Sequence, residues 1–276
     1  MAKILKGKPV AEKLIEQIKS FTSKHRLKMA ILQVGNDSAS SWYRKFKLKT
    51  AKKLNVKAEE YTFDTDIDEE IILKKIEELN SDDSVNGIFL EQPILGNFHE
   101  DKIINTINPI KDIDGITNKN CAKLYLNQKG LFPATAKSII EILDFYNIKI
   151  KGKRVVIIGR SNIVGKPVAL MFMHRHGTIT VCHSRTQHLD KVVREGDIVV
   201  AAVGKAKLIK KGFVKKNAVV LDAGYNVEGK KVFGDVDFEE IKNIAGAITP
   251  VPNGVGKVTT AMIFNNLVQA CKYQND

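Results

Sequence analysis

The chain of 276 residues carries 44 lysines and arginines against 31 aspartates and glutamates, a formal net charge of +13, and 43% of its residues are hydrophobic. This length suffices for two domains with cores of their own, and the composition excludes an intrinsically disordered chain. No apolar run reaches the roughly 18 residues that a membrane helix needs, and the first residues lack the apolar core of a signal peptide. We therefore expect a cytoplasmic protein that binds no membrane.

The cysteines and the charge distribution argue against two further classes. Cys121, Cys182 and Cys271 are odd in number and far apart, so we expect reduced thiols and no C-x-x-C metal site. The positive charge would suit nucleic acid, but the lysines are spread along the whole chain and no helix-turn-helix or zinc-finger pattern accompanies them. Small anionic ligands fit the charge equally well. A basic nucleotide- or nucleic-acid-binding protein without catalysis stays as the alternative to an enzyme.

The first half of the chain alternates helical and strand patterns. Apolar residues at helical spacing predict helices over about residues 9–24, 38–54 and 68–79. Apolar runs that end in turn residues predict strands over about 29–34, 58–63 and 85–90. This alternation is typical of an α/β domain with a parallel sheet.

The second of these helices carries a lysine on its apolar face. That face comprises Tyr43, Phe46, Lys47, Thr50, Ala51 and Leu54. An ammonium group removed from water has a lowered pKa, which makes Lys47 a candidate for proton transfer. Tyr43 lies one helical turn before Lys47, so phenol and amine can act on one ligand. The alternative is that Lys47 extends its amine to the surface.

Acidic and amide side chains lie at two turns of the first half. Glu91 and Gln92 follow a predicted strand at its carboxyl end, where ligands bind in open α/β sheets, and a carboxylate there could contact Lys47. The alternative is an exposed strand end. Asp112 and Asp114 offer too few acids for a calcium loop and by themselves indicate a plain Asx-turn.

Residues 153–167 predict a strand, a tight turn and a helix. The β-branched run 155–158 ends at Gly159, and a polar turn leads into a helix near Ile163. Such a turn directs unpaired N–H groups and the positive end of a helix dipole at one point, where a phosphate binds. Gly159 and Gly165 lack the middle glycine of G-x-G-x-x-G, so this signal alone is weak.

The loop after the next strand bears on the choice of cofactor. The strand 178–182 ends where an NAD-binding fold places the acid that binds the ribose 2′-hydroxyl. No carboxylate occupies that position. Ser184 and Arg185, together with Arg160, offer donors and positive charge that suit a 2′-phosphate, so we predict NADP. The alternative is an α/β domain whose basic loops are only solvated.

The remaining elements complete a second α/β domain. Apolar strands over 198–203 and 218–223 end at Gly204 and Gly224, as in a doubly wound sheet. A strand from Ala247 then enters a rigid Pro/Gly loop. A helix over about 134–146 connects the halves, and a last helix runs over about 260–273.

Several segments resemble the bifunctional methylenetetrahydrofolate dehydrogenase/methenyltetrahydrofolate cyclohydrolase family. They are Ser40-x-x-Tyr43-x-x-x-Lys47 and residues 111–115 (KDIDG), 159–167 (GRSNIVGKP), 182–186 (CHSRT), 234–238 (GDVDF) and 249–256 (TPVPNGVG). They cover nearly the whole chain in family order. The resemblance implies NADP-dependent oxidation of 5,10-methylene-tetrahydrofolate to the 5,10-methenyl form, then hydrolysis to 10-formyl-tetrahydrofolate, in one-carbon metabolism. It also implies a homodimer, no metal, and anionic, polyglutamylated folate substrates.

The resemblance also assigns site residues. The catalytic residues are Lys47, Tyr43 and, in the place of a family glutamine, Glu91. The substrate-binding residues are Tyr43, Gln92, Asp114, Pro250, Pro252 and Gly254. The cofactor-binding residues are Gly159, Arg160, Ser161, Ile163, Val164, Gly165, Ser184, Arg185 and Gly204.

One departure from the family pattern touches the chemistry. Glu91 stands where the family has the glutamine that partners the lysine. If Glu91 faces Lys47, its carboxylate stabilises the ammonium form, and the alternative function is a dehydrogenase with weak or absent cyclohydrolase activity. If Glu91 turns away, Gln92 takes the partner's place. Residues 133–136 and 253–257 also depart from the family pattern.

The resemblance and the element order together predict the domains. Residues 1–136 form a folate-binding α/β domain, rejoined by the C-terminal helix 260–276. Residues 137–259 form a Rossmann-like doubly wound NADP-binding domain. Hydride transfer needs the two rings held in contact, so we expect a cleft between the domains.

Overall fold

The chain divides into two compact units. The structure is a computed structural model that describes residues 1–35, 38–229 and 231–275, without the side chains of 38–43. Residues 1–13 and 135–262 form what we call the six-stranded unit, and residues 14–134 and 263–276 form the three-stranded unit. The predicted boundaries differ at the start of the chain, because residues 1–13 belong to the six-stranded unit.

The helices and strands of the described residues follow the alternation predicted from the sequence. The strands are β1 (Lys3–Ile4), β2 (Leu27–Val34), β3 (Val56–Phe63), β4 (Gly87–Leu90), β5 (Arg154–Ile158), β6 (Thr178–Cys182), β7 (Ile198–Ala201), β8 (Val219–Asp222), β9 (Asn226–Glu228), β10 (Lys231–Phe233) and β11 (Ala247–Ile248). The helices are α1 (Gly7–Thr22), α2 (Ser38–Lys53), α3 (Glu69–Ser81), α4 (Glu100–Thr106), α5 (Asn118–Tyr125), α6 (Ala134–Phe145), α7 (Gly165–His174), α8 (Leu189–Arg194), α9 (Phe238–Ile241) and α10 (Val255–Asn275). Residues Lys211–Phe213 form a 3₁₀ turn.

The three-stranded unit is built on a parallel sheet in the order β3-β2-β4. The central strand β2 is almost wholly buried, which explains its continuous apolar sequence. Helix α3 begins at the Asp68 cap, whose carboxylate accepts a hydrogen bond from the N–H of Glu70, and it buries Ile72 and Ile76. Both isoleucines pack in one cluster with Leu32 of β2 and the other sheet residues, so the sheet is covered by an amphipathic helix.

The six-stranded unit holds a parallel sheet in the order β1-β11-β8-β7-β5-β6. Strand β5 pairs with β6 on one side and with β7 on the other. The chain therefore changes direction across the sheet at β5, and the carboxyl ends of β5 and β7 flank the switch point of a doubly wound fold. The predicted Rossmann-like fold class is confirmed.

The two ends of the chain carry the main differences from the predicted elements. Strand β1 pairs with β11 through Lys3 opposite Ala247, which places the first residues in the six-stranded unit. Helix α10 begins at Val255, before the predicted start near residue 260. Its later part belongs to the three-stranded unit, where Nδ2 of Asn266 donates to the carbonyl oxygens of Ile113 and Phe132, each at 2.9 Å. Across the described ranges, the helices are all too short or too polar to cross a membrane.

Candidate active site

Helix α2 and the end of strand β4 place Lys47 and Glu91 against each other. Nζ of Lys47 lies 2.6 Å from Oε1 and 2.9 Å from Oε2 of Glu91. It also lies 4.3 Å from the ring centroid of Phe89. Only 5% of Lys47 and 4% of Glu91 are exposed. The two alternatives, a lysine that extends to the surface and an exposed strand end, are therefore wrong for this pair, and Glu91 faces the lysine.

Burial dominates the electrostatics of Glu91. Its pKa is raised by removal of the carboxylate from water, while the charge and the hydrogen bonds of Lys47 act in the opposite direction. Arg44 also lowers the pKa of Glu91, and Glu60 raises it. The pair is stable as long as both partners are present, because either charge left alone in this position would be costly.

Arg44 is a member of this cluster that the sequence analysis missed. It lies three residues before Lys47 in α2, and its Nε is 3.1 Å from Oε2 of Glu60 on β3. Its Nη1 also donates to Oε1 of Gln33, a buried residue of β2. The i, i+3 spacing from Lys47 is the signal that places the two cations on neighbouring parts of one helix face.

Asp112 and Asp114 have different roles despite their spacing. Asp112 accepts hydrogen bonds from the N–H groups of Gly115 and Thr117, each at 2.8 Å, and from Nδ2 of Asn120 at 3.0 Å. It therefore orders the turn before α5, which confirms the Asx-turn interpretation for this residue. These turn contacts are made by Asp112 and not by Asp114.

Asp114 is partly exposed and belongs to the same electrostatic cluster as Lys47 and Glu91. Removal from water raises its pKa to about 7, and the negative charges of Asp112 and Glu91 act in the same direction, whereas Lys47 opposes them. Near neutral pH such a carboxyl group can accept or donate a hydrogen bond. The structure thus brings together Lys47, Glu91 and Asp114.

Gln92 and Tyr43 are two further residues predicted to belong to this site. Gln92 is half-buried and directly follows Glu91, before a cis peptide bond to Pro93. Tyr43 belongs to helix α2, but its side chain lies outside the described residues. Its predicted roles in catalysis and folate binding stay predictions.

Gly159 and Gly165 make the turn after β5 unusually tight. A Cβ atom at Gly159, whose φ is +122°, would lie 2.1 Å from the carbonyl oxygen of Ala202 in the loop after β7. A Cβ atom at Gly165 would lie 2.3 Å from the carbonyl oxygen of Gly159. Both positions therefore require glycine, and the two loops at the switch point lie side by side without the middle glycine of the dinucleotide fingerprint.

Ser161 closes the start of helix α7 in a way that the sequence analysis did not anticipate. Its Oγ accepts hydrogen bonds from the N–H groups of Val164 at 3.2 Å and Gly165 at 3.3 Å. We expected unpaired N–H groups at this turn, but these two have a partner in the serine hydroxyl. Ile163 is exposed and Val164 half-buried, and the phosphate contacts of this turn stay predictions.

The loop after β6 is positively charged and ordered by its own hydrogen bonds. Oγ1 of Thr186 accepts from the N–H of His183 at 2.9 Å, and Nδ1 of His183 accepts from the N–H of Arg185 at 3.1 Å. Ser184 and Arg185 are exposed, as is Arg160 after β5. The tight glycine turn and this basic loop without a carboxylate fit an NADP molecule, including its 2′-phosphate.

The predicted folate loop is held within the six-stranded unit. The N–H of Gly7 donates to the carbonyl oxygen of Asn253 at 2.8 Å, and a Cβ atom at Gly7 would lie 2.1 Å from the carbonyl oxygen of Gly254. Gly254 is buried, Pro250 is half-buried, and Pro252 is exposed after a cis peptide bond. Among the residues that the structure describes, no three His, Cys, Asp or Glu side chains are grouped so as to hold a metal ion.

Comparison with known protein families decides the identity of the chain. Residues 5–114 match the model of the tetrahydrofolate dehydrogenase/cyclohydrolase catalytic domain, and residues 133–275 match the NAD(P)-binding domain of the same family. The chain belongs to the tetrahydrofolate dehydrogenase/cyclohydrolase family. Family membership agrees with the fold and with the presence of both the Lys47 cluster and the glycine turn.

Individual members of the family are similar over their whole length. The bifunctional protein FolD of Clostridium perfringens is 43% identical over 272 residues, which cover 97% of this chain and 98% of that protein. A crystal structure of the bifunctional FolD dehydrogenase/cyclohydrolase from Campylobacter jejuni matches with a TM-score of 0.95 and 35% identity, over 99% of each chain. The Trypanosoma brucei family member, crystallised with NADP cofactor and an inhibitor, matches with a TM-score of 0.92 and 28% identity, over 99% of this chain and 98% of that one.

Proposed function

We propose that the chain oxidises 5,10-methylene-tetrahydrofolate to 5,10-methenyl-tetrahydrofolate with NADP and hydrolyses the product to 10-formyl-tetrahydrofolate. The observation that carries this proposal is the buried amine of Lys47, held 2.6 Å from Glu91 at the carboxyl end of β4 in a member of this family. A buried lysine bound to a carboxylate is suited to proton handling rather than to solubility.

For the oxidation, the residues of the chain bind and orient. NADP, when bound, supplies the hydride acceptor. Gly159 and Gly165 let the backbone approach the dinucleotide closely, and Arg160 and Arg185 bind the 2′-phosphate. Asp114 binds the pterin ring, because a carboxyl group with a pKa of about 7 can pair with ring N–H donors or acceptors.

For the hydrolysis, water adds to the electrophilic carbon, the bond from that carbon to N5 breaks, and the formyl group stays on N10. One proton of the water passes to N5 and one is released, so the enzyme must chiefly move protons. Lys47 is the group that accepts and returns these protons. Glu91 holds the amine in place through contacts at 2.6 and 2.9 Å. Glu91 is therefore the residue that sets the balance between the two activities in this proposal.

The proposal also covers the form of the folate substrate and the oligomeric state of the protein. The net charge of +13 supports polyglutamylated folates as substrates, since their tails are anionic.

Strand β6 forms an edge of the six-stranded sheet and exposes Thr178, Thr180 and Val181, which supports a homodimer joined at this edge. Sedimentation of the wild type beside Val181→Lys tests the dimer, and an unchanged dimer in the variant would exclude this edge.

Two separate assays test the proposed function. Dehydrogenase activity is measured from the absorbance of the NADPH that forms from NADP and methylene-tetrahydrofolate. Disappearance of supplied methenyl-tetrahydrofolate measures the cyclohydrolase without the first step. Activity in both assays is expected. Activity in the first assay alone would indicate a dehydrogenase without cyclohydrolase activity. Activity in neither assay would favour the non-catalytic nucleotide- or nucleic-acid-binding protein.

A further inference from the structure

The buried carboxylate of Asp235 binds three consecutive backbone N–H groups of the loop after β7. Oδ2 accepts from Val203 at 2.6 Å and from Gly204 at 3.1 Å, and Oδ1 accepts from Lys205 at 2.8 Å. Nδ2 of Asn226 also donates to Oδ1 at 3.0 Å. Asp235 is fully buried, and its two carboxylate oxygens accept all four of these hydrogen bonds.

The loop that Asp235 holds lies at the switch point of the sheet. It directly follows Ala202, whose carbonyl oxygen lies 2.1 Å from the position that a Cβ atom of Gly159 would take. The side chain of Val203 is also close, with Cγ1 3.5 Å from that Cβ position. Gly204 is exposed and has a φ of +64°, so its backbone can face a ligand without an intervening side chain.

Asp235 is itself fixed by the end of strand β8. Its N–H donates to Oδ1 of Asp222 at 3.0 Å, and the N–H of Val236 donates to Oδ2 of Asp222 at 2.9 Å. A Cβ atom at Gly224 would lie 2.3 Å from Cγ of Asp235. Asp222 thus holds the backbone at Asp235, and the carboxylate of Asp235 in turn holds the loop after β7, so two buried carboxylates connect this loop to the sheet.

We infer that Asp235 is a positioning residue for the dinucleotide: it holds residues 203–205 in the conformation that borders the cofactor at the switch point. This inference rests on the proposed function. Asp235 acts through the loop backbone and not on the 2′-phosphate, which is the group that distinguishes NADP from NAD. It must therefore support NADP and NAD binding equally, unlike the basic residues proposed for the 2′-phosphate.

The test is Asp235→Asn, with Asp237→Asn as the matched control. The carboxamide keeps the shape but places an NH₂ group against N–H donors, so at least one buried donor loses its acceptor. Asp237 receives the same substitution two residues away, where it caps α9 by accepting from the N–H of Glu240. Binding of NADP and of NAD is measured by calorimetry, and KM and kcat are measured with each cofactor.

We expect Asp235→Asn to weaken binding of both cofactors by about tenfold, with kcat at saturating cofactor and KM for folate nearly unchanged. The control should bind both cofactors like the wild type. A merely structural role would instead lower thermal stability and the active fraction without a selective rise in the cofactor KM. A folded Asp235→Asn protein that binds both cofactors normally, or one that loses only NADP, overturns the inference.

If Asp235→Asn does not fold, amide hydrogen exchange of the wild type tests the inference instead. The amides of Val203, Gly204 and Lys205 should exchange with solvent as slowly as those of strand β7, because their acceptor is buried. Fast exchange of these amides overturns the inference. A wild type that binds neither cofactor overturns the proposed function and this inference together, whereas normal wild-type binding with an unaffected variant overturns this inference alone.

Discussion

The ammonium of Lys47 contacts both carboxylate oxygens of Glu91, at 2.6 and 2.9 Å, in a position where water is almost excluded. A glutamine at this position would offer one acceptor oxygen and no charge. The carboxylate instead offers two acceptor oxygens to the Lys47 amine, while burial raises the pKa of Glu91 itself. The proposed hydrolytic step therefore centres on a buried lysine–glutamate pair.

Replacing Glu91 with Gln should raise cyclohydrolase activity relative to dehydrogenase activity. The glutamine removes the charge that holds the Lys47 amine through two contacts, so the amine can exchange protons with water more readily, while hydride transfer depends chiefly on ring placement. The measurement is the ratio of the two kcat values in wild type and variant. Glu77→Gln, an exposed substitution on α3, is the control and should leave this ratio unchanged. An unchanged ratio in Glu91→Gln would mean that Glu91 does not control Lys47.

Replacing Lys47 with Met should abolish hydrolysis of methenyl-tetrahydrofolate while the protein still folds. Methionine retains most of the apolar contacts, but it leaves Glu91 buried without its partner, which costs stability of about 3–5 kcal/mol for a buried pair. The double variant Lys47→Met/Glu91→Gln should recover most of that loss in a thermal melt but not the activity. Lys49→Met, on the exposed side of α2, should keep both activities. Cyclohydrolase turnover in folded Lys47→Met would show that another group handles the proton.

The position of Lys47 could be predicted because the helical period alone places residues 47, 50, 51 and 54 on one face. The structure confirms this, with Thr50, Ala51 and Leu54 buried beside Lys47. Glu91 was predictable in the same way, since an apolar run that stops at a polar residue marks the carboxyl end of a strand. Local periodicity was sufficient in both cases.

Contacts that depend on register or on distant pairing could not be predicted. The partner of Arg44 is Glu60, which the pairing of β2 with β3 brings next to α2. Strand β1 has only two residues, so its place beside β11 has no periodicity to reveal it. The different roles of Asp112 and Asp114 follow from which carboxylate the backbone N–H groups of a single turn happen to face.

Replacing Arg160 with Ala should weaken NADP binding by about tenfold or more and leave NAD binding nearly unchanged, because the lost contact is a charge-assisted one to the 2′-phosphate. Calorimetric titration with each dinucleotide measures this. Lys166→Ala is the matched control, since this nearby amine is bound to Oδ1 of Asn162 at 2.7 Å. Equal losses for NADP and NAD in Arg160→Ala would remove Arg160 from the 2′-phosphate site.

Asp114 should make the stability of the three-stranded unit fall as pH rises through neutrality. Its pKa is about 7 in the folded protein against an ordinary 3.8, so the folded state binds the extra proton between these values. The stabilisation is complete below about pH 4 and is lost as pH rises through 7, with a slope of at most about 1.4 kcal/mol per pH unit. Burial is the main cause of this raised pKa, and the charges that also act on it, those of Asp112, Glu91 and Lys47, all remain in an Asp114→Asn variant. The free energy of unfolding should therefore decline less steeply between pH 5 and 7 in the variant than in the wild type. Unfolding is followed by the fluorescence of the single tryptophan, Trp42. Parallel curves for the two proteins would mean that Asp114 titrates as an ordinary aspartate and is not desolvated in the folded site.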